Sequence, residues 1–134
     1  MPLSLFHTGR YADAGDYLRE RLSLPHGARV DLWSVPEPPG GEKPSTPLPT
    51  LIQLAIYGSE KKRLTLQEIY QELARRFTWF REHDHAQVWK NSVRHHLSLG
   101  KIFKCVQRPV TEPGKGSYWE IDISGGTRRR TSGF

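Results

Sequence analysis

The sequence predicts an α+β domain: a three-helix bundle closed by a small antiparallel β-sheet and entered through an irregular leader. Three observations predict it. Apolar residues recur at helical spacing in three stretches between residues 48 and 99. The period then drops to two in KIFKCV and SYWEIDI, and most of the prolines lie in the first fifty residues. At 134 residues the chain is sized for one compact core with an attached segment.

The leader comes first. Within residues 1–33, an adjunct segment, DAGDYLRERLSL predicts a short helix with Leu18 and Leu22 on one side, stopped by Pro25. VDLWSV places Leu32 and Trp33 where they can pack back onto the domain, the alternative being a mobile tail. The prolines of PEPPGGEKPSTPLP exclude helix and sheet, so residues 34–46 are expected as an extended linker ahead of a domain at 47–124.

In the first bundle helix Leu51, Leu54 and Ala55, with Ile52 beside them, form the stripe that Gly58 and Ser59 end. After the basic turn EKKRL, Thr65 and Glu68 make a capping box that starts the second helix at Leu66. Its stripe is Leu66, Ile69, Tyr70 and Leu73, with Glu72 and Arg76 expected as a surface pair. A loop around WFREHDHA leads to the third helix, about Ala86 to Leu99, stopped by Gly100. Two strands follow, separated by QRPVTEPGKG, which is expected to project as a loop rather than pair, and residues 125–134 are expected as a basic, flexible tail.

The third helix carries the functional signal. At 100° per residue, Trp89, Val93 and Leu97 span an arc of about 80°, while Asn91, Arg94, His95 and Ser98 fill an arc centred about 150° away. That polar face presents an amide, a guanidinium, an imidazole and a hydroxyl, and no acidic residue. A merely solvated face usually mixes Glu with Lys, whereas these groups match base edges and phosphates. Asn91, the only asparagine of the chain, has an amide suited to donating to and accepting from one adenine.

Charge points the same way. Residues 1–50 hold five basic and six acidic side chains, and residues 51–134 hold fifteen and eight, so the surplus lies in the later part. Between 89 and 119 the basic residues Lys90, Arg94, Lys101, Lys104, Arg108 and Lys115 are opposed only by Glu112. Each phosphate such a surface neutralises releases condensed counterion, so binding should weaken steeply with salt.

Other chemistries are poorly supported. The single Cys105 excludes an internal disulfide and fits a reducing compartment; mid-strand, it reads as a buried or half-buried thiol rather than a nucleophile. The histidines at 83, 85, 95 and 96 lack the spacing of the standard zinc patterns. PGKGS has the wrong order of glycine and lysine for a phosphate-cradling loop. No secretory leader and no stretch of membrane-spanning length is evident. Neither an enzyme nor a cofactor is expected.

LTLQEIY, WKNSVRHHLSL and PGKGSYWEID, in that order and spacing, resemble the forkhead family of winged-helix DNA-binding proteins from about Lys43 to Arg130. The stretch KPSTPLPTLI is similar to a degraded form of the family's KPPYSYIALI. The resemblance implies a winged helix, a helix-turn-helix variant that binds double-stranded DNA as a monomer in the nucleus to regulate transcription. It implies base contacts from Asn91 and His95 with Arg94 beside them. Arg94, Ser92 and Ser98 would hold the backbone or orient the helix, with Lys90 and Lys101 as further backbone contacts. Lys115, Ser117 and Trp119 of the first wing would also meet the backbone, and Arg128, Arg129 and Arg130 of the second would reach the minor groove or the backbone. The chain departs from the family in having His96 in place of the usual Asn. It also lacks tyrosines at Thr46 and Leu48, and EHDHAQV is about two residues longer than usual. The competing readings are a winged helix that binds protein, and one that binds DNA without sequence preference. A protein partner of the N-terminal segment is a further possibility.

Overall fold

The structure, a computed structural model, describes residues 13–123. The expected second-wing arginines Arg128, Arg129 and Arg130 lie outside the described residues.

The leader forms α1, Ala14–Arg21, whose first turn is capped by the Asp13 carboxylate accepting from the Asp16 amide at 3.2 Å. The bundle that follows consists of α2 (Leu48–Tyr57), α3 (Leu66–Arg76), a short α4 (Thr78–Glu82) and α5 (Gln87–Leu99). The capping box is present in α3: Thr65 Oγ1 accepts from the Glu68 amide at 3.2 Å, and Glu68 accepts from the Thr65 amide at 2.9 Å. Five residues are too few to show a helical period, so α4 was invisible where a loop was expected.

Three strands make the sheet, in the order β1–β3–β2, from β1 (Leu64–Thr65), β2 (Phe103–Val106) and β3 (Tyr118–Ile121). Both pairings are antiparallel, with Leu64 opposite Trp119 and Cys105 opposite Trp119 on the other side. The two-residue β1 was not expected; it straightens the chain just before the capping box of α3.

Ile102 and Phe103 are both buried, although strict alternation would send them to opposite faces. Ile102 sits in the turn before the strand, where the pleat does not yet dictate direction, and its carbonyl accepts from the Asp122 amide at 2.7 Å. Cys105 is exposed, against the expectation of a covered thiol. It shares the pleat face of Phe103 but lies about 7 Å further along the strand.

α2 is the central helix. Every residue from Thr50 to Ile56 is buried, a wider covering than the single stripe of Leu51, Leu54 and Ala55 requires. α3, α5 and β3 pack against it, and so do α1 and the turn at Leu32–Ser34. Thr50, on the side facing the leader, accepts from Arg21 Nε at 3.4 Å. Tyr17, Leu18, Val30, Leu32 and Val35 join one continuous core with the bundle. Of the two leader residues expected to dock, Leu32 is buried, whereas Trp33 remains 57% exposed beneath the Arg76 guanidinium, 4.2 Å away. Over 34–46 the chain is not simply extended: it makes a 3₁₀ turn at Pro39–Gly41 and holds side-chain contacts with α3 and α4.

Candidate nucleic-acid interface

α5 is anchored on one side and open on the other. Trp89, Val93 and Leu97 are buried in the core, and Asn91, Arg94, His95 and Ser98 are exposed. The anchor is firm at its N-terminal end. Trp89 packs edge-on to Tyr70 at 5.7 Å and lies 4.7 Å from Phe80, and its indole N–H donates to the His83 carbonyl at 2.8 Å. From the flank, the Tyr70 hydroxyl donates to the Lys90 carbonyl at 3.3 Å. Burial raises the Tyr70 pKa, and the neighbouring Arg94 guanidinium opposes that rise.

The loop between β2 and β3 has an internal frame. Arg108 Nη1 donates to the Pro113 carbonyl at 2.9 Å, its Nε to the Gly116 carbonyl at 3.2 Å, and its Nη2 to the Lys115 carbonyl. A second layer ties the loop to Arg63, the residue just before β1. The Tyr118 hydroxyl donates to Glu112 at 2.7 Å, Glu112 pairs with Arg63 at 3.3 Å, and Arg63 lies over the Tyr118 ring at 4.5 Å. The Tyr118 hydrogen bond, aided by the cations around it, lowers the Glu112 pKa and keeps the carboxylate charged. Gly114, at φ +113°, lets the chain double back over Arg108: a Cβ there would stand 3.0 Å from Arg108 Nη1. Lys115 is left exposed at the tip.

A family profile described as Forkhead domain matches residues 42–129, about two-thirds of the chain. The chain belongs to the forkhead family. Its fold is the winged helix, with α5 as the third bundle helix and the β2–β3 loop as the first wing. Forkhead box protein F1 of Homo sapiens is 48% identical over 100 residues, covering 69% of this chain and 26% of the relative. Forkhead box protein F2 of Mus musculus is 48% identical over 100 residues, covering 69% and 22%, and forkhead box protein I1 of Homo sapiens is 41% identical over 99 residues, covering 74% and 24%. The chain thus spans about a quarter of the length of these relatives.

Within this forkhead domain the sequence-expected residues fall into two groups. Asn91, Arg94, His95 and Ser98 share the open face of α5, while Lys101, just beyond the helix, and Lys115, on the wing, are also exposed. Others are partly engaged. Ser92 and Ser117 are half-buried, and Trp119 is half-buried in β3, packed against the core. Lys90 lies across the Tyr70 and Trp89 rings with its ammonium 3.4 Å from Asp84. Sequence reasoning counted Arg108 among the free cations, yet it is spent on the wing's own carbonyls. It also missed Arg63, Glu112 and Tyr118 as the wing's fastening, because their pairing spans up to 49 residues. The arginine just ahead of a Pro/Gly-rich loop was the available signal.

His96 faces the helix flank, half-buried, with its ring 6.0 Å from that of His95. Burial lowers its pKa, and the adjacent His95 adds to the effect. The unfolded chain therefore takes up a proton first as pH falls. The stability this neutral histidine contributes is complete above the unfolded pKa near 6.5 and is lost as pH drops through the lower folded value. Replacing it by the family's usual residue, His96→Asn, should flatten the fall in urea midpoint between pH 7 and pH 5. An unaltered acid slope would contradict this account.

Proposed function

We propose that this forkhead domain is the sequence-specific DNA-binding module of a nuclear transcription regulator, non-enzymatic and monomeric on double-stranded DNA. One observation carries the reading: the exposed face of α5 holds Asn91, Arg94, His95 and Ser98, with no acidic side chain among them, opposite a flank pinned by Trp89, Val93 and Leu97. A major groove accepts a helix presenting that face, and an Asn amide on it can pair bidentately with adenine. Asn91 and His95, with Arg94, are the proposed base contacts. The backbone contacts are Ser92, Ser98, Lys90, Lys101, Lys115, Ser117, Trp119 and the arginines at 128–130. Of these, Lys90 needs to leave Asp84 to reach a phosphate, which costs little at an exposed carboxylate.

The test is competition between an adenine-rich duplex of the forkhead type and its shuffled counterpart. Strong preference for the first supports the reading, and equal binding supports attraction by charge alone. Lys115 supplies an independent check. Because its ammonium is proposed to meet phosphate, Lys115→Ala should weaken both duplexes alike and reduce the slope of log K against log salt by about 1. An unchanged slope would remove Lys115 from the interface.

A further inference from the structure

Residues 13–43 hold four basic and six acidic side chains, so this leader is not built to attract a polyanion. It is nevertheless fastened to the bundle at a specific place. The Asp31 carboxylate accepts from the Trp33 amide at 2.8 Å while Ser34 Oγ accepts from the Asp31 amide at 3.1 Å, closing a rigid turn at Leu32–Ser34. Gly58, at the end of α2, lets this turn approach: a Cβ there would lie 2.5 Å from that of Asp31. The turn presents two carbonyls to the last residue of α3. Arg76 Nε donates to Leu32 at 3.2 Å and its Nη2 to Val35, with the guanidinium over the rings of Trp33 and Phe77. Arg76 is therefore not the partner of Glu72 that helical spacing suggests; Arg75 lies 3.9 Å from that carboxylate.

The chain then crosses to α4. Glu37 Oε1 accepts from the Thr78 amide, the first of α4, at 3.3 Å, and the Lys43 ammonium lies 5.1 Å from the centre of the Trp79 ring. Within α4, Trp79 stacks on His83 at 4.1 Å and meets Phe80 edge-on at 5.2 Å. His83 supplies the carbonyl that takes the Trp89 indole N–H, and Phe80 packs on the Trp89 ring. Trp89 belongs to the first turn of α5, two residues and about 3 Å of helix rise before Asn91.

We propose that the leader strap, through Glu37 and Lys43 on α4, sets the position of α4 and thereby the attitude at which α5 presents Asn91, Arg94 and His95. Glu37 and Arg76 are positioning residues that touch no DNA. Most of the strap precedes residue 42, where the forkhead match begins, so it is an addition to the domain that sets its recognition surface from behind. The proposal rests on α5 being the DNA-reading helix, and its test has a part that does not.

The experiment compares Glu37→Ala, Glu37→Gln and Lys43→Ala in the full chain by two readouts. In the free protein, ¹H–¹⁵N spectra report the indole N–H groups of Trp79 and Trp89, with Trp119 on the sheet as an internal reference. Glu37→Ala should move the Trp89 indole and the first-turn amides of α5. Glu37→Gln, which keeps an acceptor oxygen, should largely restore them, and Lys43→Ala should move chiefly Trp79. On DNA, Glu37→Ala should lose about threefold to tenfold in affinity for the adenine-rich duplex and less than about twofold for the shuffled one. A strap that only stabilises the fold would lower the melting temperature and leave the Trp89 indole and the DNA preference untouched; that result overturns the proposal. If the native chain shows no duplex preference the base-reading proposal fails, and the free-protein spectra still decide whether the strap positions α5.

Discussion

Phe80→Ala is expected to lower the unfolding free energy by about 3 to 5 kcal/mol, because it empties the junction on which three elements converge. Phe80 is 1% exposed, with Phe77 at 6.1 Å, Trp79 at 5.2 Å and Trp89 at 4.7 Å between ring centres. Trp89 and Trp79 cannot swing in to close a hole of that size without giving up the Tyr70 edge contact and the His83 stack, so the cavity term adds to the lost transfer energy. For a domain of this size such a loss is a large fraction of the total stability. Urea unfolding of the substituted chain measures it directly. Val110→Ala is the natural control, since Val110 is 98% exposed and should change stability by less than about 0.5 kcal/mol. Comparable losses at both positions would mean that the aromatic junction is not the keystone of the bundle.

How far the molecule was legible in its sequence follows from the range of the interactions involved. The helices α2, α3 and α5 announce themselves because their buried residues recur every three or four positions and because a capping box is a local signature at Thr65 and Glu68. β1 and α4 are too short to carry a period. The strap is a different case. Its composition correctly excludes long helix and sheet, but composition says nothing of the Glu37 and Thr78 contact, which spans 41 residues, or of Arg76 reaching back 44 residues to Leu32. Proline density signals an irregular backbone, not a detached one.

The open face of α5 was legible for the same reason as the helix itself: Trp89, Val93 and Leu97 fix which way it turns, and Asn91, Arg94 and His95 must then point away. The wing was not. Lys104, expected among the free charges, lies 3.8 Å from Glu120 across the β2–β3 pair, and Arg108 is committed to carbonyls of its own loop. A count of basic residues overstates the cations free to meet phosphate, because it cannot say which are occupied at home.

Asn91→Ala should weaken binding to the adenine-rich duplex by about 1 to 3 kcal/mol, the discrimination of one bidentate base contact, and leave the fold intact because the side chain is exposed. A phosphate contact at that position would instead cost both duplexes equally. The decisive measurement is therefore a pair of titrations at one salt concentration, native chain and Asn91→Ala, each on the adenine-rich duplex and on its shuffled counterpart. The loss is expected on the adenine-rich duplex alone. Equal losses on both, or none on either, would contradict it.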